Sequence, residues 1–145
     1  MFEIVAGLDP LRASKRRISD AVEASRTSTT DIFGIGPVGA AIAVGQTRDV
    51  SRFATRDRFA AYNGTAPIEV GSGGHSVHRL SRRGNRQLNH AIHIAALGQI
   101  SHDTPGRAYY LHKQTEGKSR KEAMRCLKRR ISDAVYQRLR DDAGR

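Results

Sequence analysis

Leu88, Ala91, Ile92, Ala95, Ala96 and Ile100 recur at the spacing of one helical face, and Ala123, Leu127, Ile131, Ala134, Val135 and Leu139 do so again near the end of the chain. A strand turns every second side chain to the same side, so two stripes of this period commit the C-terminal half to helices buried through one face. The start signals agree. Asn85 stands where it can N-cap the first stripe and the second runs from Ser119 to about Asp141, while Thr104-Pro105 opens a helix between them through Tyr109, Tyr110 and Leu111 that closes near Gly117. At 145 residues the chain has room for one modest core. The expectation is a small all-α domain.

The N-terminal half reads in the same way. Leu11, Ile18, Ala21 and Val22 lie at helical spacing, with Arg12, Lys15, Arg16 and Arg17 on other faces. Ser25 to Thr30 is a polar break, after which Asp31 can cap a short turn, and Pro37 suits the first position of a second helix running to about Gly45. Thr55 can N-cap a short helix through Phe59 and Tyr62, ended by Asn63-Gly64. From Ile68 to Arg83 the character changes, and the glycines with alternating Val77 and Leu80 read as an irregular loop or short hairpin. Residues 1–12 read as an arbitrary or disordered start; they hold Glu3 and lack the basic region of a signal peptide. Lys15 to Val22 and Lys128 to Val135 are the same octapeptide, Lys-Arg-Arg-Ile-Ser-Asp-Ala-Val. Either two basic amphipathic helices reached the same packing solution, or an antiparallel pair joins the two ends of the chain.

Charge narrows the function. Lys and Arg number 25 against 14 Asp and Glu, a net +11, which makes polyanions the natural partners. Between Val70 and His102 there is no acidic residue, and Arg79, Arg82, Arg83 and Arg86 fall inside that stretch. It is the expected footprint for a phosphate backbone. No run approaches the ~20 apolar residues of a membrane span, so no membrane role is expected. The single Cys126 cannot close an internal disulfide and fits a reducing cytoplasm.

Three local patterns carry chemistry. Ile32 to Ala41 has the form hydrophobic-Gly-hydrophobic-Gly-Pro-x-x-Ala, similar to the hairpin of a helix-hairpin-helix motif, in which Gly34, Gly36 and Gly39 would let the backbone approach a phosphate that accepts from a helix N-terminus. A plain helix start explains the same letters. A dinucleotide fingerprint fits poorly, because the polar run Ser25 to Asp31 stands where its strand should be. Ser72, in Gly71-Ser72-Gly73-Gly74, can present a hydroxyl at an uncrowded turn, and the arginines that follow can neutralise a phosphoryl group under attack. A Ser among glycines is otherwise an ordinary loop. The six histidines include the pairs His75/His78 and His90/His93, but no third ligand has motif spacing, so no metal site is assigned. Tyr109 and Tyr110 can stack on bases or pack in the core.

Gly34-Ile35-Gly36-Pro37-Val38-Gly39-Ala40, then Arg52-Phe53 with Arg58 to Pro67, then Ser72-Gly73-Gly74, then Arg82-Arg83-Gly84-Asn85-Arg86-Gln87-Leu88, form an ordered series. Over residues 13–142 it resembles the C-terminal transposase domain of the insertion-sequence one-ten family, the bridge-RNA-guided serine recombinases. The resemblance implies DNA transposition and recombination, with Ser72 as the nucleophile that links covalently to DNA. It also implies DNA and a structured guide RNA as partners, a bacterial nucleoid-associated setting and a homo-oligomer. A RuvC-like N-terminal domain would hold Mg2+ in such a protein; this chain contains no match to it and is expected to bind no cofactor itself. Where many relatives carry a second serine, this chain has Gly71. The alternative is a non-catalytic nucleic-acid-binding module.

Overall fold

The computed structural model describes residues 10–67 and 84–145, and every regular element within them is helical. They are α1 (Pro10–Ser25), α2 (Pro37–Thr47), α3 (Arg56–Asn63), α4 (Arg86–Ser101), α5 (Pro105–Thr115) and α6 (Arg120–Ala143), with short 3₁₀ turns at Thr29–Asp31 and Val50–Arg52. The all-α expectation holds. The Gly-rich segment from Ile68 to Arg83 lies outside the described residues, as do residues 1–9.

Local chemistry sets the helix starts. Thr55, Asn85, Thr104 and Ser119 each accept a backbone N–H from the first turn of α3, α4, α5 and α6. Ser119 and Glu122 close a reciprocal capping box, with Ser119 N–H donating to Glu122 Oε1 at 2.9 Å and Glu122 N–H to Ser119 Oγ at 3.2 Å. Gly64, at φ +81°, ends α3 in the left-handed region.

The long helix α6 is the spine, packing on α3, α4 and α5. Its buried face is Ala123, Leu127, Ile131, Ser132, Val135, Tyr136 and Leu139. Ala134, expected inward, is half-exposed. The packed stripe runs through Ser132 and Tyr136 instead, because α3 lies against that flank. There Phe59, fully buried, sits 5.4 Å from the Phe53 ring and 5.6 Å from Tyr136, and Tyr136 Oη donates to the Phe53 carbonyl at 2.7 Å. Each fully buried Leu, Ile, Val or Phe contributes about 1.5–3 kcal/mol of transfer free energy.

A polar pivot joins α3 to α6. Asn63 is fully buried; its Nδ2 donates to Ser132 Oγ at 2.9 Å and its Oδ1 accepts from the N–H and hydroxyl of Thr65 at 3.0 and 2.6 Å. Asn63→Ala would take the Asn63 partner from the buried Ser132 and Thr65 hydroxyls, so urea unfolding should show a loss of about 2–3 kcal/mol. A loss below about 0.5 kcal/mol would mean that the network adds little.

The two octapeptide copies have different fates. In α6 the copy buries Ile131, Ser132 and Val135, whereas α1 has no fully buried residue and rests on α2 with Val22 partly covered. The copies do not pair along their lengths. The chain nonetheless closes at their far ends: Asp142 accepts the Ser28 N–H at 2.8 Å, and Arg145 donates to Asp142 at 2.9 Å. Two amphipathic helices with separate packing partners is the reading that fits.

Candidate nucleic-acid interface

Gly34, Gly36 and Gly39 have three different surroundings. Gly34 adopts φ +92°, and a Cβ there would lie 2.7 Å from the Cα and the carbonyl oxygen of Ala95. Its backbone is therefore pressed onto α4, where Ala95 and Gly98 keep the surface low. Gly36 is the N-cap of α2 with open space around it and no side-chain cap, and Pro37 follows as the first helical residue. The N-terminus of α2 is thus left without a side-chain acceptor, the condition under which its N–H groups can meet an oxyanion. Gly39 faces Ile35 at ordinary contact distance. Gln99 fixes the turn at Phe33 and Gly34 from below. It is buried in the α4 stripe and donates from Nε2 to the Phe33 carbonyl at 2.9 Å.

Arg86 is exposed at the first position of α4, nine residues before Ala95, so it lies about 14 Å along the helix axis from the Gly34 crossing. The Gly34 turn and Arg86 lie against different parts of α4. Ser72, Arg79, Arg82 and Arg83 lie outside the described residues. Neither tyrosine is free: both pack against the core, and Tyr109 carries the Arg130 guanidinium 4.5 Å from its centroid and the Lys113 ammonium at 5.3 Å.

Beside Arg86 the structure assembles a group that the sequence did not single out. A cavity of about 590 Å³ between the end of α3, the start of α4 and α6 is lined by Asn63, Gly64, Gly84, Asn85, Arg86, Asn89, His90, His93 and Lys128. No carboxylate is among them. Lys128 is half-buried and donates to Asn89 Oδ1 at 3.0 Å; Asn89 Nδ2 in turn donates to the Asn63 carbonyl at 2.9 Å. The next residue, Arg129, takes the local acids for itself, pairing with Asp57 and, at 2.9 Å, with Asp133. Burial pushes the Lys128 ammonium below its ordinary range, and burial followed by the neighbouring charges of Lys128 and His90 pushes the His93 imidazole down as well. The signals in the sequence were Arg86 in the acid-free stretch and the His90/His93 pair at i, i+3, and neither says anything of Lys128 arriving from another helix. Among the described residues no three His, Cys, Asp or Glu side chains converge as metal ligands, and none of the described helices is long and apolar enough to cross a membrane.

Residues 28–111 match the transposase IS116/IS110/IS902 family. The chain is 37% identical over 112 residues to the insertion element IS900 uncharacterized 42 kDa protein of Mycobacterium paratuberculosis, covering 77% of this chain and 28% of that protein. It is 32% identical over 134 residues to the insertion element IS110 uncharacterized 43.6 kDa protein of Streptomyces coelicolor, covering 90% and 33%. To the insertion element IS116 uncharacterized 44.8 kDa protein of Streptomyces clavuligerus it is 34% identical over 110 residues, covering 74% and 27%. No solved structure matches. The chain belongs to the transposase IS116/IS110/IS902 family, and it spans a third or less of the length of these relatives.

Proposed function

We propose that this chain is the DNA-binding C-terminal domain of an insertion-sequence transposase and supplies Ser72 as the nucleophile for strand cleavage and exchange. The observation that carries the reading is the carboxylate-free cavity of Arg86, His90, His93 and Lys128, with Gly84 in its lining. Gly84 is where the described chain resumes after the segment that contains Ser72 and Arg79, Arg82 and Arg83. Ser72 stands twelve residues before Gly84 in the sequence, and its own position lies outside the described residues. In the step itself the Ser72 hydroxyl gives up its proton, an Oγ–P bond forms, one P–O bond of the strand breaks, and the leaving sugar oxygen takes up a proton.

The described residues offer no carboxylate cluster for Mg2+. Such ligands would come from a RuvC-like N-terminal domain, in cis or in trans, and no part of the step is assigned to them here. A structured guide RNA and self-association belong to the same proposal. The guide RNA is supported by the resemblance and by the net charge of +11, self-association by the resemblance alone.

Binding to duplex DNA or structured RNA should show little sequence preference, because backbone amides and cations address phosphates rather than base edges. Replacing Arg79, Arg82, Arg83 and Arg86 together by Ala should weaken binding and reduce the slope of log K against log salt by about 3–4, close to one per lost phosphate contact. An unchanged slope would place the footprint elsewhere on the molecule.

A further inference from the structure

Among the described residues none of Arg86, His90 and His93 has a hydrogen-bond acceptor, and the only acceptor of Lys128 is the neutral amide of Asn89. The amides in the lining are already engaged: Asn63 with Ser132 and Thr65, Asn85 with Gln46, Tyr62 and the Leu88 N–H, and Asn89 with Lys128 and the Asn63 carbonyl. What remains free among the described residues is a ring of donors, Arg86, His90, His93 and Lys128, around space that no described carboxylate lines. A half-buried ammonium without a counter-charge is costly unless an anion joins it. The partner that best matches several convergent N–H donors is an oxyanion with more than one accepting oxygen.

We propose that this cavity seats a phosphodiester of a nucleic-acid strand, with the Lys128 ammonium, oriented by Asn89, as its central charge and Arg86, His90 and His93 as donors around it. The assignment rests on the nucleic-acid-binding reading above and extends it to residues on α4 and α6. It makes binding acid-sensitive. The charged and titratable groups around His93 are Arg86 and His90 on its own helix and Lys128 from α6; the end of α3 contributes only uncharged Asn63 and Gly64. Lys128 and His90 oppose protonation of His93, and a seated phosphate reverses that. Binding therefore takes up protons, and affinity rises as pH falls through the histidine range. The free domain responds in the opposite sense, since its unfolded chain holds the His93 proton more tightly and acid weakens the fold.

The test uses the full chain, a short labelled DNA duplex and, separately, inorganic phosphate. Lys128→Met should lower duplex affinity about tenfold at moderate salt and reduce the salt slope by about one, with a melting temperature at or above that of the parent because a desolvated charge is removed. Lys128→Arg should keep the slope. Lowering the pH from about 7.5 to about 5.5 should strengthen binding of the parent but much less that of His93→Gln. In the parent, duplex should move the imidazole resonances of His90 and His93 and raise the His93 pKa. If Lys128→Met folds and leaves both affinity and slope unchanged, the seat is wrong. It is also wrong if inorganic phosphate moves the imidazoles and duplex does not, which would mark a free-anion site. Failure of the parent to bind any duplex or RNA would instead remove the broader reading, and the phosphate titration would still report on the cavity.

Discussion

Gly34→Ala should destabilise the domain by about 2–5 kcal/mol, a large part of the ~5–15 kcal/mol that holds a domain of this size together. Two costs add. The residue sits at φ +92°, where a Cβ clashes with its own backbone, and the new methyl carbon would fall 2.7 Å from the Cα and carbonyl oxygen of Ala95. Neither of those atoms is the end of a flexible side chain, so α4 and the Gly34 turn would have to separate. Separation would also pull the Phe33 carbonyl from Gln99. Gly36→Ala is the contrasting case, since that glycine has φ −90° and nothing within 4 Å, and it should cost no more than about 1 kcal/mol through the weaker N-cap. Urea unfolding of the two variants separates the roles. If Gly34→Ala kept the parent stability and lost only DNA affinity, the glycine would be serving a phosphate and not the helix crossing.

That contrast also marks how far the sequence could be read. Thr55, Asn85, Thr104 and Ser119 announced four helix starts correctly because a cap is a contact within one turn, written in adjacent letters. The α4 stripe was equally legible, yet Gln99, buried within it, was not. A polar residue is buried when something distant accepts its hydrogen bond, and here the acceptor is Phe33, 66 positions away. The Gly-x-Gly-Pro pattern was read for its phosphate chemistry, while the closest contact of Gly34 is to Ala95; a sequence gives the need for glycine without saying what presses on it. Lys128 was visible only as one cation in a repeated octapeptide. Its meeting with Asn89, 39 residues earlier, depends on α6 crossing α4. Ser72, Arg79, Arg82 and Arg83 are legible as motif residues, and their positions lie outside the described residues.

Ser72→Ala should abolish the covalent protein–DNA adduct in the assembled enzyme. Attack at phosphorus needs an oxygen nucleophile within reach of the scissile bond, and alanine has none, so the expected loss is complete within detection and not a graded decline. Binding should hardly change, because one hydroxyl adds little to an interaction spread over many phosphates. Ser76 and Ser81 stand close in sequence and serve as controls, and their Ala variants should still form adduct. The most direct measurement is therefore adduct trapping with the chain joined to, or supplemented with, a metal-bearing N-terminal domain, followed by mapping of the modified residue. The account predicts phosphoserine linkage at Ser72 in the parent and in the Ser76→Ala and Ser81→Ala variants, and no adduct in Ser72→Ala at undiminished DNA affinity. Adduct formed by Ser72→Ala at the parent rate, or a linkage mapped to Ser76 or Ser81, would contradict it.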